Sequence, residues 1–467
     1  MDAQADELHE KSLQLLKTTG CVFKDERALQ IFAEAGAEVN FSKQLVRIPP
    51  RLVEDALRRC PKRVLLAARN PKYDVTLEED RVYFGTSTLP INVLDLESGR
   101  LRRGTAQDCL DFPRLVDALS YIHFYKATIY PSDVPQETAV PWMIYGGFAN
   151  TEKEVSSTPF TIDGALAGIR MAEIIAGGTA ELKKRPLICF NVLCTAPLTW
   201  NATSVRILIK LAELGLPTII GSEPQAGTTA PVTLLAATLL QNAETLAGIT
   251  LAQIANPGLP VIMGAIGSIS DLKTGNFCSG AVELGLMNSV AAQMSQRYGI
   301  PIYATGGMSD AKVSDIQAGY EKGIQLLITA LSGGNYIHDA AGMLDHCLTL
   351  SYEQYVIDNE ICGMVARALS GISFGDEFMA LDLINHVGPT GNFLRERHTL
   401  QYLRSEHFLP ELANRKARND WEDEGSPTLV DRAKDKAREI LEKHHPTPLP
   451  EDVDQELRQI IKRTEAK

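Results

Sequence analysis

The chain of 467 residues carries 46 Lys and Arg against 58 Asp and Glu, a formal net charge of −12, with 45% hydrophobic and 22% charged residues. These are ordinary globular proportions, which exclude a mainly disordered chain, and the acidic balance argues against nonspecific binding to nucleic acid or to an anionic membrane. The length exceeds one small domain and admits a large barrel with extensions, since barrels reach roughly 250 residues or more.

Residues 1–19 interleave Asp, Glu, His and Lys and lack the apolar core of a signal peptide, so a cytoplasmic protein is expected. Glu26–Ala35 has helical periodicity, Pro49-Pro50 opens a helix through Arg59, and Val93–Gly104 reads as a hairpin turning at Glu97-Ser98-Gly99. Residues 1–104 therefore read as a small α+β lobe. Thr105 and Asp108 then form a capping-box variant that starts a helix toward Leu119.

From there a repeat takes over. GLPTIIGSE at 215–223, GLPVIMGAI at 258–266 and GIPIYATGG at 299–307 nearly superimpose. In each, Gly ends a segment, Pro opens a strand where no ladder donor is needed, and an apolar run follows without polar alternation. Strands apolar on both faces are parallel strands covered by helices. Pro186–Leu193, Ile122–Tyr130 and Tyr336–Ala341 read the same way, with helices near 165–176, 205–214, 232–255, 281–298, 316–331 and 352–369. The segment Pro224–Ala243 is interrupted by Gln, Thr, Gly and Pro, so it reads as a loop and buried helix rather than a membrane span.

This α/β alternation suits a doubly wound sheet or an eight-stranded barrel. The barrel is preferred, over residues 105–392, because a doubly wound nucleotide fold should show a glycine-rich phosphate loop after its first strand and none is present. Residues 393–467 turn charged and helical, an extension packed outside the barrel or against a partner subunit. The eight cysteines contain no CxxC, so neither disulfides nor a cysteine zinc site is expected.

A parallel barrel keeps its active site at the carboxyl ends of its strands. That rule selects Asn191, Cys194 and Thr195, then Glu223 and Gln225, Ser268 and Ser270, then Met308, Ser309 and Asp310, and finally His338, Asp339, Asp345 and His346. With no HExxH, HxH, three-cysteine or GxSxG arrangement, neither a protein-held catalytic metal nor a serine hydrolase is expected. The aromatics Phe84, Tyr125, Tyr130, Trp142, Tyr145, Phe190 and Trp200 fall near predicted strand ends or loops, where they either pack in the core or attract a quaternary ammonium through their π faces. Glu223 would add attraction for a cation with no N–H to donate, unless it pairs with a lysine or caps a helix. His346 is a candidate for holding a substrate carboxylate or for a structural hydrogen bond.

SDAKVSDIQAGYEK at 309–322, AGMLD at 341–345 and EQYVIDNE at 353–360, together with ALQIF at 28–32, VRIP at 46–49 and GNFL at 391–394, resemble the trimethylamine methyltransferase superfamily. The resemblance implies a TIM (β/α)8 barrel that moves a methyl group from an amine to the Co(I) of a corrinoid carried by a separate partner protein, with no permanently bound cofactor. The trimethylamine enzymes place pyrrolysine immediately before Ser-Asp-Ala-Lys; this chain has Met308 there. Members without pyrrolysine resemble glycine betaine methyltransferases, with relatives acting on proline betaine, carnitine and butyrobetaine. On that branch Met308 and Asp310 are the expected catalytic positions, and Glu223, Gln225, Asn191, His346, Phe190 and Tyr130 the expected substrate contacts, in a homo-oligomer. The alternatives are a related methylated amine as substrate, or a betaine-binding or assembly protein without turnover.

Overall fold

A computed structural model describes residues 2–87 and 89–465. Eight parallel strands close into a barrel in chain order: β1 Tyr83–Thr86, β2 Phe124–Lys126, β3 Glu154–Ser157, β4 Ile188–Cys194, β5 Thr218–Ser222, β6 Val261–Ala265, β7 Ile302–Thr305 and β8 Tyr336–Ala341. β8 pairs with β1 to complete the ring. Each strand is followed by an outer helix, from Ala106–Ala118 after β1 to Tyr352–Leu369 after β8, which is the TIM-barrel arrangement.

The repeated Gly-x-Pro segments become β5, β6 and β7. Gly215, Gly258 and Gly299 adopt φ of 70°, 88° and 63°, left-handed turns that a side chain would strain. Gly215 and Gly299 end the helices Ala202–Leu214 and Val282–Tyr298. The Thr105–Asp108 capping box forms with both of its hydrogen bonds.

Two strands differ from the sequence reading. β1 falls inside residues 1–104, so a division at 104 cuts through the barrel, and β3 sits where no strand is expected. Both are four residues long, and their sequences, Tyr-Phe-Gly-Thr and Glu-Val-Ser-Ser, lack an apolar run. β3 meets hydrogen-bonding groups inside the barrel rather than an apolar filling. Gly85 in β1 has its own reason: a Cβ there would lie 2.0 Å from the Phe124 ring, which stacks on Tyr336 at 3.7 Å.

The antiparallel pair Val64–Leu66 and Val75–Leu77 plugs the amino end of the barrel, its side chains joining Phe124, Cys189, Ile219, Ile262 and Tyr336 in one buried cluster. The lobe strands Cys21–Phe23, Leu45–Arg47 and Glu38–Asn40 form a sheet with Thr199–Trp200 from the loop after β4. Near the carboxyl terminus, Leu429–Lys443 packs on Tyr352–Leu369 and Ala106–Ala118, and Glu451–Glu465 packs on Ala139–Asn150 and Ile162–Ala176.

Candidate active site

Strand alternation decides which side chains enter the barrel. On β4, Cys189, Asn191 and Leu193 share the inner face, and on β5 the inner series runs Ile219, Gly221, Glu223 just past the strand. Gly221 and Gly264 are register partners on β5 and β6, and a Cβ on Gly221 would lie 2.7 Å from Gly264 Cα. Glycine at both positions allows the two backbones this close approach, below the carboxyl-end interior of the barrel.

That interior is charged. The Lys126 ammonium hydrogen-bonds the Tyr303 hydroxyl and lies 4.3 Å from the ring centroid. The Tyr303 ring stacks on His338 with centroids 3.9 Å apart. His338 Nε2 is 2.7 Å from Thr305 Oγ1, and Nδ1 is 2.9 Å from Asp339 Oδ2. Asp339 takes φ 62°, where the register of β8 against β1 shifts, and such a bulge re-aims a side chain. On the far side, Tyr336 donates to Glu154 Oε2 at 2.6 Å and to Ser156 Oγ at 3.2 Å. Burial drives the proton affinities together: it pulls Lys126 down to about 7 against the attraction of Asp339, Glu154 and Glu223, and pushes Glu154 up to about 8.

Glu223 differs from its neighbours. Protein encloses it, yet its side chain remains open to water, as a carboxylate inside a solvent-filled mouth would be. Burial, then the Asp339 carboxylate, push it up to about 7, with Lys126 opposing. It has no hydrogen-bond partner among the described residues. Asn191 is 3% exposed beside the Tyr303 hydroxyl, and its Oδ1 is also unpartnered. Free acceptors in an enclosed space can take a hydrogen bond from water or from a ligand.

The other expected contacts lie elsewhere. Asp310 Oδ1 accepts from Ser279 N–H at 2.8 Å and Ser279 Oγ–H at 2.6 Å, and lies 2.8 Å from His346 Nδ1. His346 Nδ1 also faces the Phe277 carbonyl at 2.9 Å, and Nε2 accepts from Lys312 Nζ at 2.7 Å. Asp310 and His346 thus brace the loops after β6, β7 and β8, and neither ring nitrogen of His346 is left for a substrate carboxylate. Asp345, His346 and Cys347 all have positive φ, a strained rim that these bonds hold. Gln225 belongs to a small sheet with Ser268–Ser270 and Phe277–Cys278, and its Oε1 accepts from Ser270 at 3.0 Å.

Met308 is 3% exposed, in the large apolar cluster between barrel and helices. Its N–H donates to Gln325 Oε1 at 3.1 Å, and Lys322, ion-paired to Asp358 at 3.0 Å, donates to the Gly307 carbonyl at 2.7 Å. Phe190 points away from the mouth: a Cβ on Gly168 of the outer helix would lie 3.1 Å from its ring. Phe84, Tyr125, Tyr145 and Trp200 are buried in the same helix-facing cluster, with Trp142 against it. Of the expected aromatics only Tyr130 sits at the rim, half-buried beside Phe160 with ring centroids 6.0 Å apart. The sequence reading missed Lys126, Glu154 and Tyr303, which lie within strands rather than after them. A lysine in the apolar run Ile122–Tyr130 was the available signal.

Fold and site together define a TIM-barrel protein with buried and enclosed ionisable side chains gathered inside the carboxyl end of its strands. The profile of the trimethylamine methyltransferase (MTTB) family matches residues 1–467, and the chain belongs to that family. It is 34% identical to the trimethylamine methyltransferase MttB of Desulfitobacterium hafniense strain DSM 10664 / DCB-2, over 99% of this chain and 93% of that protein. It is 33% identical to a glycine betaine methyltransferase of D. hafniense strain Y51, over 98% and 95%. The monomethylamine methyltransferase of Methanosarcina barkeri shares the fold, with a TM-score of 0.53 at 12% identity, covering 95% of this chain and 87% of that one. Among the described residues no helix is long and apolar enough to cross a membrane.

Proposed function

We propose that this methyltransferase takes a methyl group from a quaternary amine, glycine betaine first, and passes it to the Co(I) of a corrinoid carried by a partner protein. The observation that carries the reading is Glu223: an unpaired carboxylate, open to water inside the barrel mouth and reinforced by Asp339, attracts a cation that has no N–H to donate. Met308 at the position where the resemblance places pyrrolysine, and the full-length similarity to a glycine betaine methyltransferase, support the choice of amine.

The chemistry suits this side-chain set. The Co(I) lone pair attacks the methyl carbon, the C–N bond breaks with its electrons passing to nitrogen, and methyl-Co(III) and dimethylglycine result. The leaving group is already a neutral tertiary amine, so no proton need be delivered. The protein's part is to hold the ammonium in line, exclude water and avoid over-stabilising the cationic ground state. Longer betaines such as proline betaine, carnitine and butyrobetaine would use the same carboxylate and need more room for their tails.

The test is incubation with glycine betaine and a reduced corrinoid protein, followed by the cobalt spectrum and product analysis. Methyl-Co(III) with stoichiometric dimethylglycine is expected. A protein that binds betaine yet forms no methyl-Co(III) from any quaternary amine would be a binding or assembly protein instead.

A further inference from the structure

One ion pair is packed away among the outer helices. Lys322, in the helix Ile316–Leu331, and Asp358, in Tyr352–Leu369, have side chains 1% and 0% exposed and pair at 3.0 Å. Both fall inside the stretches 309–322 and 353–360 that carry the family resemblance, yet neither belongs to the group of side chains inside the barrel. Burying such a pair is unfavourable unless its geometry is closely matched, because desolvation can exceed the attraction gained. The best-attested use of a buried pair is to fix one arrangement among several.

The hydrogen bonds of the pair show what it arranges. Lys322 Nζ donates to the Gly307 carbonyl at 2.7 Å, Asp358 Oδ2 accepts from the Gly342 N–H at 2.7 Å, and Asp358 Oδ1 accepts from Gln354 Nε2 at 2.8 Å. Gly307 and Gly342 are turn residues after β7 and β8, with φ of 90° and 87°. Neither leaves room for a side chain: a Cβ on Gly307 would lie 2.9 Å from Ala340 Cα, and one on Gly342 would lie 2.2 Å from the Tyr355 ring. The turn after β7 therefore rests on the backbone of the β8 bulge, and the pair ties both sides of that contact. Asp339, 3% exposed with φ 62°, precedes Ala340 in the bulge. The titratable groups that face Glu223 are Lys126 from β2, Tyr303 from β7, Asp339 from β8 and Cys347 from the rim. Burial keeps the tyrosine and the thiol protonated, so Lys126 and Asp339 supply the charge that acts on Glu223.

We infer that Lys322 and Asp358 are positioning residues: their ion pair locks the turns after β7 and β8 together and thereby fixes the Asp339 carboxylate beside Glu223. The functional meaning rests on the reading of Glu223 as the ammonium site, while the placement itself stands on the turn geometry. A second carboxylate held in a fixed place strengthens the pull on a quaternary ammonium. In the ligand-free protein the same carboxylate makes Glu223 keep its proton to higher pH, adding to the effect of burial.

Titration of Glu223 in the ligand-free protein tests it. Protein labelled with carbon-13 at the glutamate side-chain carboxyls is followed by NMR across pH, and the Glu223 resonance is identified by its loss in Glu223→Gln. The wild-type midpoint is expected at about 7. Asp339→Asn should lower it by about 1 pH unit through loss of the like charge, and Lys322→Met/Asp358→Asn should lower it similarly because Asp339 is no longer held. Lys322→Met alone, which keeps the Asp358 bond to Gly342, is the second variant should the double one not fold, and its midpoint should also fall. In an Asp339→Asn background neither change should add a further shift. A pair that served stability alone would lower the melting temperature and leave the midpoint in place. A midpoint unchanged or raised in Asp339→Asn or in the ion-pair variants, or a shift that persists in full without Asp339, would overturn the inference. Glycine betaine affinity of the same proteins separates this outcome from the reading of the site: binding that is absent or independent of Glu223, alongside shifted midpoints, would remove the ammonium from Glu223 and leave the positioning role standing.

Discussion

The barrel cavity and the rim above it contain the same kinds of side chain, Asp, Glu, His and Lys, in opposite states. At the rim, Asp310 Oδ1 accepts two hydrogen bonds from Ser279 and faces His346, whose two ring nitrogens are engaged in turn. In the cavity, Glu223 and Asn191 Oδ1 have no partner, while burial and like charge raise the proton affinity of Glu223. Hydrogen-bond capacity spent on neighbours builds a frame, and capacity left open is available to a ligand. Position at a strand end selects both groups and cannot tell them apart.

The contrast can be broken most sharply at Glu223. Glu223→Gln should weaken glycine betaine binding about 100-fold by calorimetry while leaving the melting temperature equal or higher, since a neutral amide replaces a costly enclosed carboxylate. Equal affinity in the variant would move the ammonium site elsewhere. At the rim the opposite pattern is expected. Asp310→Ala strands the Ser279 and His346 donors and should cost about 2–3 kcal/mol in urea unfolding, with betaine affinity much less affected. A stable Asp310→Ala chain that no longer binds betaine would make Asp310 a ligand contact.

A pH series sharpens the same distinction. The ordinary value for a glutamate is 4.5, and Glu223 is raised to about 7, so the folded protein holds this proton more tightly than the unfolded chain. Its ionised form therefore costs stability, a cost that grows as pH rises from 4.5 through about 7. A bound quaternary ammonium favours the ionised form. Affinity should rise with pH up to about 7, by at most ~10-fold per unit, and Glu223→Gln should abolish the slope. The smallest effect is expected for His346→Ala, under ~1.5 kcal/mol in stability, with equal small losses for betaine and for choline, which lacks the carboxylate. Selective loss for betaine would restore His346 as a carboxylate contact.

Much of this architecture is legible in the chain. The Gly-x-Pro repeats locate β5, β6 and β7 because a left-handed glycine and a donor-free proline are local requirements. Ile316–Leu331 and Tyr352–Leu369 fall where helical periodicity places them. β1 and β3 stay hidden because Tyr-Phe-Gly-Thr and Glu-Val-Ser-Ser lack the apolar run that marks the other strands: Gly85 makes room for the Phe124 ring, and Glu154 and Ser156 meet the Tyr336 hydroxyl. Phe190 shows a different limit. Its neighbours Cys189 and Asn191 take the inner face, so strict alternation turns Phe190 outward, which the period of two already implied. The engagement of Asp310 and His346 depends on Ser279, Phe277 and Lys312, brought together by loops after three different strands, and nothing local in the sequence records it.

The central claim is that Glu223 receives the ammonium of the methyl donor inside the barrel mouth. A crystal structure of the protein soaked with glycine betaine tests it most directly. The account predicts the ammonium methyl groups against the Glu223 carboxylate, above Gly221 and Gly264, with one methyl directed out of the mouth. Betaine bound at the rim between Lys312 and His346, with the cavity around Glu223 holding only water, would contradict it.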